Sequence, residues 1–151
     1  MTDLRDLYQE VILDHSKRPR NFGELSAATH HAAGHNPLCG DTVSVELLVE
    51  GDRVTEVRFT GSGCAISRAS ASLMTATIKG KSLAEVESVF GRFHDLVTGA
   101  TTDVLGDAES LGKLQVFAGV KEFPMRVKCA TLAWHTLHAA LHREAAPVTT
   151  E

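Results

Sequence analysis

Three cysteines and one aspartate stand out in this 151-residue sequence as side chains able to do chemistry together. Cys39, Cys64 and Cys129 fall where the sequence pattern changes from one element to the next. A structural cysteine, behaving as a small hydrophobe, would sit inside an apolar stripe instead. Cys39 lies in the turn Asn36-Pro37-Leu38-Cys39-Gly40-Asp41, Cys64 follows Gly61-Ser62-Gly63, and Cys129 follows Phe123-Pro124-Met125-Arg126-Val127-Lys128. Cys64 and Cys129 are each expected to open a helix, where about half a positive charge and free amides favour thiolate over thiol. Thiolate is the form that binds metal or attacks sulfur. Asp41 is the fourth donor, because residues two apart in an extended segment point to the same side, with backbones roughly 7 Å apart. Three thiolates and a carboxylate would make a tetrahedral zinc site or a labile site for iron–sulfur species. There is no Cys-x-x-Cys pair, so spacing alone does not dictate a shared metal.

Other side chains compete for a chemical role. His135, His138 and His142 lie close together on one helical face, so two of them could clasp a metal. The same spacing suits a solvated face, and a structural or surface role is expected for them and for the adjacent His30 and His31. Lys17, Arg18 and Arg20 form a basic cluster that reads as a solvated loop or as a docking patch. Arg126 and Lys128 precede Cys129, and a cation near a thiolate lowers its pKa. A thiol hydrolase built on Cys64 would need a histidine base, and the sequence pins no histidine to that role.

The elements that must position these residues follow from periodicity. Leu4, Leu7, Tyr8 and Val11 form a helical stripe ending before Lys17-Arg18-Pro19. Thr29 to Asn36 is expected to be an edge strand. Thr42 to Val49 alternates with Val43, Val45, Leu47 and Val49 inward, and after Glu50-Gly51-Asp52 the chain returns as a strand over Arg53–Thr60. Ile66, Ala69, Leu73 and Ala76 restore a helical period. Ser82 and Glu85 make a capping box before the stripe of Val86, Val89, Phe90, Phe93 and Val97. A loop is expected over Gly99–Gly106, then a short helix capped by Asp107 and bearing Leu111, Leu114 and Phe117. Gly119 to Pro124 breaks the pattern before a last helix with Ala130, Trp134, Leu137 and Leu141 on one face. The expectation is an α+β fold: a small antiparallel sheet of about three strands with helices packed on one side. One domain over residues 1–151 is expected, with a flexible tail from about residue 145.

Composition narrows the function classes. Fifteen basic against nineteen acidic side chains give a net charge of −4, without the basic excess of a nucleic-acid footprint. The apolar runs are too short to span a bilayer. Met1-Thr2-Asp3-Leu4-Arg5-Asp6 does not read as a secretion signal, and an odd number of cysteines reads as reduced thiols in the cytoplasm.

The residues also carry a resemblance. Leu7-Tyr8, Val11-Ile12-Leu13-Asp14-His15, Pro19-Arg20-Asn21 and the Cys39 turn resemble the U-type iron–sulfur assembly scaffold family, which includes IscU-, SufU- and NifU-like proteins. Gly61-Ser62-Gly63-Cys64-Ala65-Ile66-Ser67 and Arg126-Val127-Lys128-Cys129-Ala130-Thr131-Leu132-Ala133-Trp134 continue the likeness over nearly the whole chain. The sequence resembles the SufU branch more than the IscU branch. Lys128 stands where IscU-type proteins have a histidine, and Phe123-Pro124-Met125-Arg126-Val127-Lys128 departs from their Leu-Pro-Pro-Val-Lys motif. The stretch between Cys64 and Cys129 is also longer, with the extra segment expected around Arg92 to Leu111.

The SufU resemblance implies a zinc-dependent sulfur acceptor for a cysteine desulfurase of the SufS type, a pyridoxal-phosphate enzyme carrying persulfide sulfur on its own cysteine. Carried over by position, Cys39, Asp41, Cys64 and Cys129 would be the zinc ligands. On docking, a partner histidine would displace Cys39, which takes the sulfur, and Arg126 would lie near the site in support. The pyridoxal cofactor belongs to the partner, and a downstream iron–sulfur scaffold would receive the sulfur. The alternative is that the same residues assemble a transient iron–sulfur cluster.

Overall fold

The structure, a computed structural model, describes residues 4–37, 40–99, 112–142 and 148–149. Helix α1 (Leu4–Lys17) leads through a turn to three strands, β1 (His30–Asn36), β2 (Asp41–Glu50) and β3 (Arg53–Ser62). These pair antiparallel, β1 with β2 from His30–Leu47 to Asn36–Asp41, and β2 with β3 from Glu50–Arg53 to Thr42–Ser62. Alternation sets the faces: Asp41, Val43, Val45 and Leu47 are buried, whereas Thr42 is exposed. A bulge between Leu48 and Val49 shifts the β2–β3 register.

The expected small antiparallel sheet is present, with one addition. A two-residue strand β4 (Val148–Thr149) pairs parallel with Gly34 and His35, so β1 is not a bare edge there. Of the tail expected to be flexible, only these two residues are described.

Helices α2 (Ala65–Ile78), α3 (Leu83–Thr98) and α4 (Pro124–Leu141) complete the core. The Ser82 capping box forms as its sequence predicts, and Gly99 closes α3 in the left-handed conformation with φ 78°. Residues 92–99 of the extra segment are therefore the end of α3, while the expected Gly99–Gly106 loop and Asp107 cap otherwise lie outside the described residues. A 3-10 helix (Gly112–Glu122) follows, with Leu114 and Phe117 buried. It runs through Gly119, where the sequence suggests a break. Phe93 of α3 stacks on Trp134 at 4.6 Å and meets Phe117 edge-on at 5.8 Å, joining the 3-10 helix to α3 and α4.

Buried polar groups join the helices. The Ser70 hydroxyl donates to the Ala130 carbonyl at 2.5 Å and accepts from the Trp134 indole at 3.2 Å, tying α2 to α4. His15 at the end of α1 is only 4% exposed, its Nδ1 2.7 Å from Ser72 Oγ. That oxygen also accepts the Arg20 backbone N–H at 2.8 Å, and its hydroxyl proton can donate to a neutral imidazole. Burial, and secondarily Arg20, pushes the His15 pKa below its ordinary value.

Candidate metal centre

Two chain junctions and one helix interior converge on a small, partly buried volume. Asp41 opens β2 directly across from Asn36, which closes β1. Cys64 is the N-cap of α2, in an extended conformation, and its sulfur accepts the Ser67 N–H at 3.4 Å. The Cys64 backbone N–H donates to Asp41 Oδ1 at 2.9 Å, while Asp41 Oδ2 lies 3.9 Å from Cys64 Sγ. Cys129 comes from α4, fully buried, and the Asn36 side-chain amide donates to its sulfur at 3.9 Å.

Asp41, Cys64 and Cys129 thus bring three ligand atoms within 4.8 Å of one another. Asp41 is 0% exposed, although a carboxylate costs several kcal/mol to strip of water unless something replaces it. The Cys64 N–H supplies part of that replacement. Three anionic donors at this range would also repel, by about 4 kcal/mol per pair at 4 Å and an effective dielectric of 20. A divalent cation among them reverses the sign. Tetrahedral zinc holds sulfur and oxygen donors roughly 3.3–3.8 Å apart, so the trio needs at most a contraction of about 1 Å. The donor set therefore fits zinc, and it equally fits iron with bridging sulfide.

Glycine makes the approach possible. A Cβ on Gly63 would run into Asp41 Oδ1 and lie 2.9 Å from its carboxyl carbon. Gly40, on the other side of Asp41, adopts φ 73° and closes the turn with an N–H to the Asn36 carbonyl at 2.8 Å.

Of the expected ligands, Asp41, Cys64 and Cys129 come together, and Cys39 lies outside the described residues. One expectation is corrected. Cys129 does not open the last helix; α4 starts at Pro124, whose missing N–H suits the first helical position, and Cys129 is the sixth residue. The helix-terminal field fades beyond the first turn, so Cys129 lies outside it, whereas Cys64 stands at the start of α2. Arg126 sits in the exposed first turn of α4, three residues and so about one helical turn before Cys129. It lines a groove of about 870 Å³ together with Gln9, Ile66, Val116, Val120 and Phe123. Asn36 and Gly63 escaped the sequence reading; the only hint was that each adjoins a segment bearing a candidate ligand.

Two thiols and a carboxylate thus meet beside a small antiparallel sheet packed with helices, a donor set able to hold a metal ion. Residues 7–130 match the NifU-like N-terminal domain, and the chain belongs to that family of IscU-, SufU- and NifU-like scaffolds. It is 41% identical over 142 residues to the zinc-dependent sulfurtransferase SufU of Bacillus subtilis (strain 168), covering 94% of each chain. The iron–sulfur cluster assembly scaffold protein IscU of Streptococcus pyogenes serotype M1 is 38% identical over 145 residues, covering 96% of this chain and 89% of that one. Among solved structures, a candidate SUF-system scaffold from Fervidobacterium islandicum AW-1 superposes with a TM-score of 0.81 at 38% identity, covering 87% and 94% of the two chains.

Proposed function

We propose that this chain is a zinc-dependent sulfur acceptor in iron–sulfur biogenesis, taking persulfide sulfur from a SufS-type, pyridoxal-phosphate cysteine desulfurase. The observation that carries the reading is the convergence of Asp41, Cys64 and Cys129 on one partly buried volume, with Cys39 two residues from Asp41 in the chain. The likeness to the Bacillus subtilis sulfurtransferase supports zinc as the resident ion. Bound zinc would keep its sulfur ligands deprotonated at neutral pH without redox chemistry of its own.

In this reading Asp41, Cys64, Cys129 and Cys39 would hold the ion, and Cys39 is the acceptor once a partner histidine displaces it. Its thiolate attacks the outer sulfur of the partner's persulfide. A new sulfur–sulfur bond forms on Cys39, the old one breaks, and the desulfurase cysteine leaves as thiolate. Arg126, in the first turn of α4, supplies positive charge for the anionic sulfur. A downstream iron–sulfur scaffold takes the sulfur onward. Among the described residues no helix is long and apolar enough to cross a membrane, and we place the reaction in the cytoplasm, where thiols stay reduced.

Assembly of a cluster on the same residues is the second reading, favoured by the scaffold designation of the Streptococcus pyogenes relative. Metal analysis of protein purified without chelator, followed by a desulfurase assay with wild type and Cys39→Ala, separates the two. About one zinc per chain and loss of stimulation in Cys39→Ala is the expected result. Iron with acid-labile sulfide would establish the scaffold instead, and undiminished stimulation by Cys39→Ala would remove Cys39 as acceptor.

A further inference from the structure

Toward the other end of α4, roughly 14–20 Å along the helix from Cys129, a second group of ligating side chains gathers where α3 faces α4. Phe90 is its centre. It stacks on His138 with ring centroids 5.1 Å apart and on His94 at 6.4 Å, and meets His135 edge-on at 5.7 Å. Glu87, one turn before Phe90 on α3, reaches across to α4. Its Oε2 lies 3.6 Å from His138 Nε2 and its Oε1 3.3 Å from His142 Nε2. His138 and His142 are four residues apart, with ring centroids separated by 4.3 Å.

Two histidines at this helical spacing present their rings to one point, and a carboxylate from a neighbouring helix supplies the third donor. The three ligand atoms all lie within 4.8 Å of one another. Packing against Phe90 restrains the His138 ring, which reduces the rotamer entropy lost on binding. The side chains of Glu87, His138 and His142 keep 44%, 40% and 53% of their exposure, so ion and solvent have access.

Ion pairing alone accounts less well for the arrangement. Exposed pairs of this kind contribute about 0–1 kcal/mol, and two imidazolium rings about 4 Å apart would repel by about 1 kcal/mol even in water. One divalent cation satisfies both neutral rings and the carboxylate together. Imidazole with carboxylate suits zinc, cobalt, nickel and copper, not magnesium or calcium.

We propose that Glu87, His138 and His142 form a second metal site, a solvent-open clamp of two nitrogens and one oxygen for zinc and related divalent transition ions. It is independent of the thiol centre and staples α3 to the end of α4.

Cobalt(II) titration of the full chain, preloaded with one equivalent of zinc, tests this by absorption and calorimetry. A further equivalent of cobalt should bind, with visible ligand-field bands but no added sulfur-to-cobalt charge transfer. His142→Ala, at an exposed helix end, should weaken that equivalent roughly tenfold or more while the preloaded zinc stays bound, and Glu87→Gln should weaken it in the same direction. Failure of wild type to take a second equivalent, or equal affinity in wild type and both variants, would overturn the proposal.

Discussion

The carboxylate of Asp41 and the backbone amide of Cys64 are joined by a 2.9 Å hydrogen bond across 23 residues of sequence. The bond ties the start of β2 to the start of α2 and leaves the second oxygen of Asp41 facing the Cys64 sulfur, 3.9 Å away. One side chain thus sets the position of a neighbouring ligand and serves as a donor itself.

Substitution at Asp41 separates those two duties. Asp41→Asn retains an oxygen to accept the Cys64 N–H but loses the anionic donor. Its metal-free melting temperature should stay near wild type while zinc retention against a chelator falls sharply. Asp41→Ala also strands the Cys64 amide, which costs about 1–3 kcal/mol. Metal analysis and thermal melts of both variants check this. Equal zinc retention in Asp41→Asn and wild type would mean that the carboxylate charge is not used.

Gly63→Ala probes the same contact from the other side. The added methyl meets the Asp41 carboxylate, so either the carboxylate or the β3–α2 junction must move. The expected outcome is zinc affinity reduced by roughly 10–100-fold, the scale seen when the support of a metal ligand is disturbed. Chelator competition measures it. An unchanged affinity would show that the junction yields without disturbing Asp41.

How far these contacts were legible in the sequence varies with their range. Alternation over Val43, Val45 and Leu47 and the Ser82–Glu85 box are local patterns, and both give the observed elements. Pro124 reads as a breaker in the sequence, yet at a first helical position its missing N–H costs nothing, so α4 begins earlier than its apolar stripe suggests. The run through Gly119 is likewise set by packing, since Leu114, Phe117 and Val120 are buried by other elements. The juxtaposition of Asp41 with Gly63 depends on the bulge at Leu48/Val49, which shifts the β2–β3 register. A one-residue slip there would set a side chain against the carboxylate, and no periodicity marks the bulge. The spacing of His138 and His142 was visible on one helix, but Glu87 belongs to another, and only the α3–α4 packing brings it across.

Stability should depend on pH through His15. Its folded pKa is depressed by burial, so the neutral ring is the form the fold accommodates. Above the unfolded value of about 6.5 its contribution is fully present. As pH falls below that value the unfolded chain takes up a proton the folded chain resists, and stability declines toward the lower folded pKa. His135, also depressed mainly by burial, acts in the same direction. Melting temperature should therefore drop between about pH 7 and pH 5.5, and His15→Gln should flatten part of the slope. An identical slope in the variant would assign the effect elsewhere.

Ser70 offers a test of how firmly the helices carrying the two described cysteines are coupled. Its hydroxyl is fully buried, donating to Ala130, the residue after Cys129, and accepting from Trp134. Ser70→Ala removes both bonds and leaves the Trp134 N–H without its acceptor, a loss of about 1–3 kcal/mol. For a chain of this size that lowers the melting temperature by roughly 2–10 °C. Neither of these partners of the Ser70 hydroxyl is a metal-ligand candidate, so a loss of zinc affinity would come through the spacing of α2 and α4. Melting and chelator competition on the same sample distinguish the cases. A lower melting temperature with unchanged affinity makes Ser70 a folding contact only, whereas a fall in both shows that the α2–α4 junction sets the distance between Cys64 and Cys129.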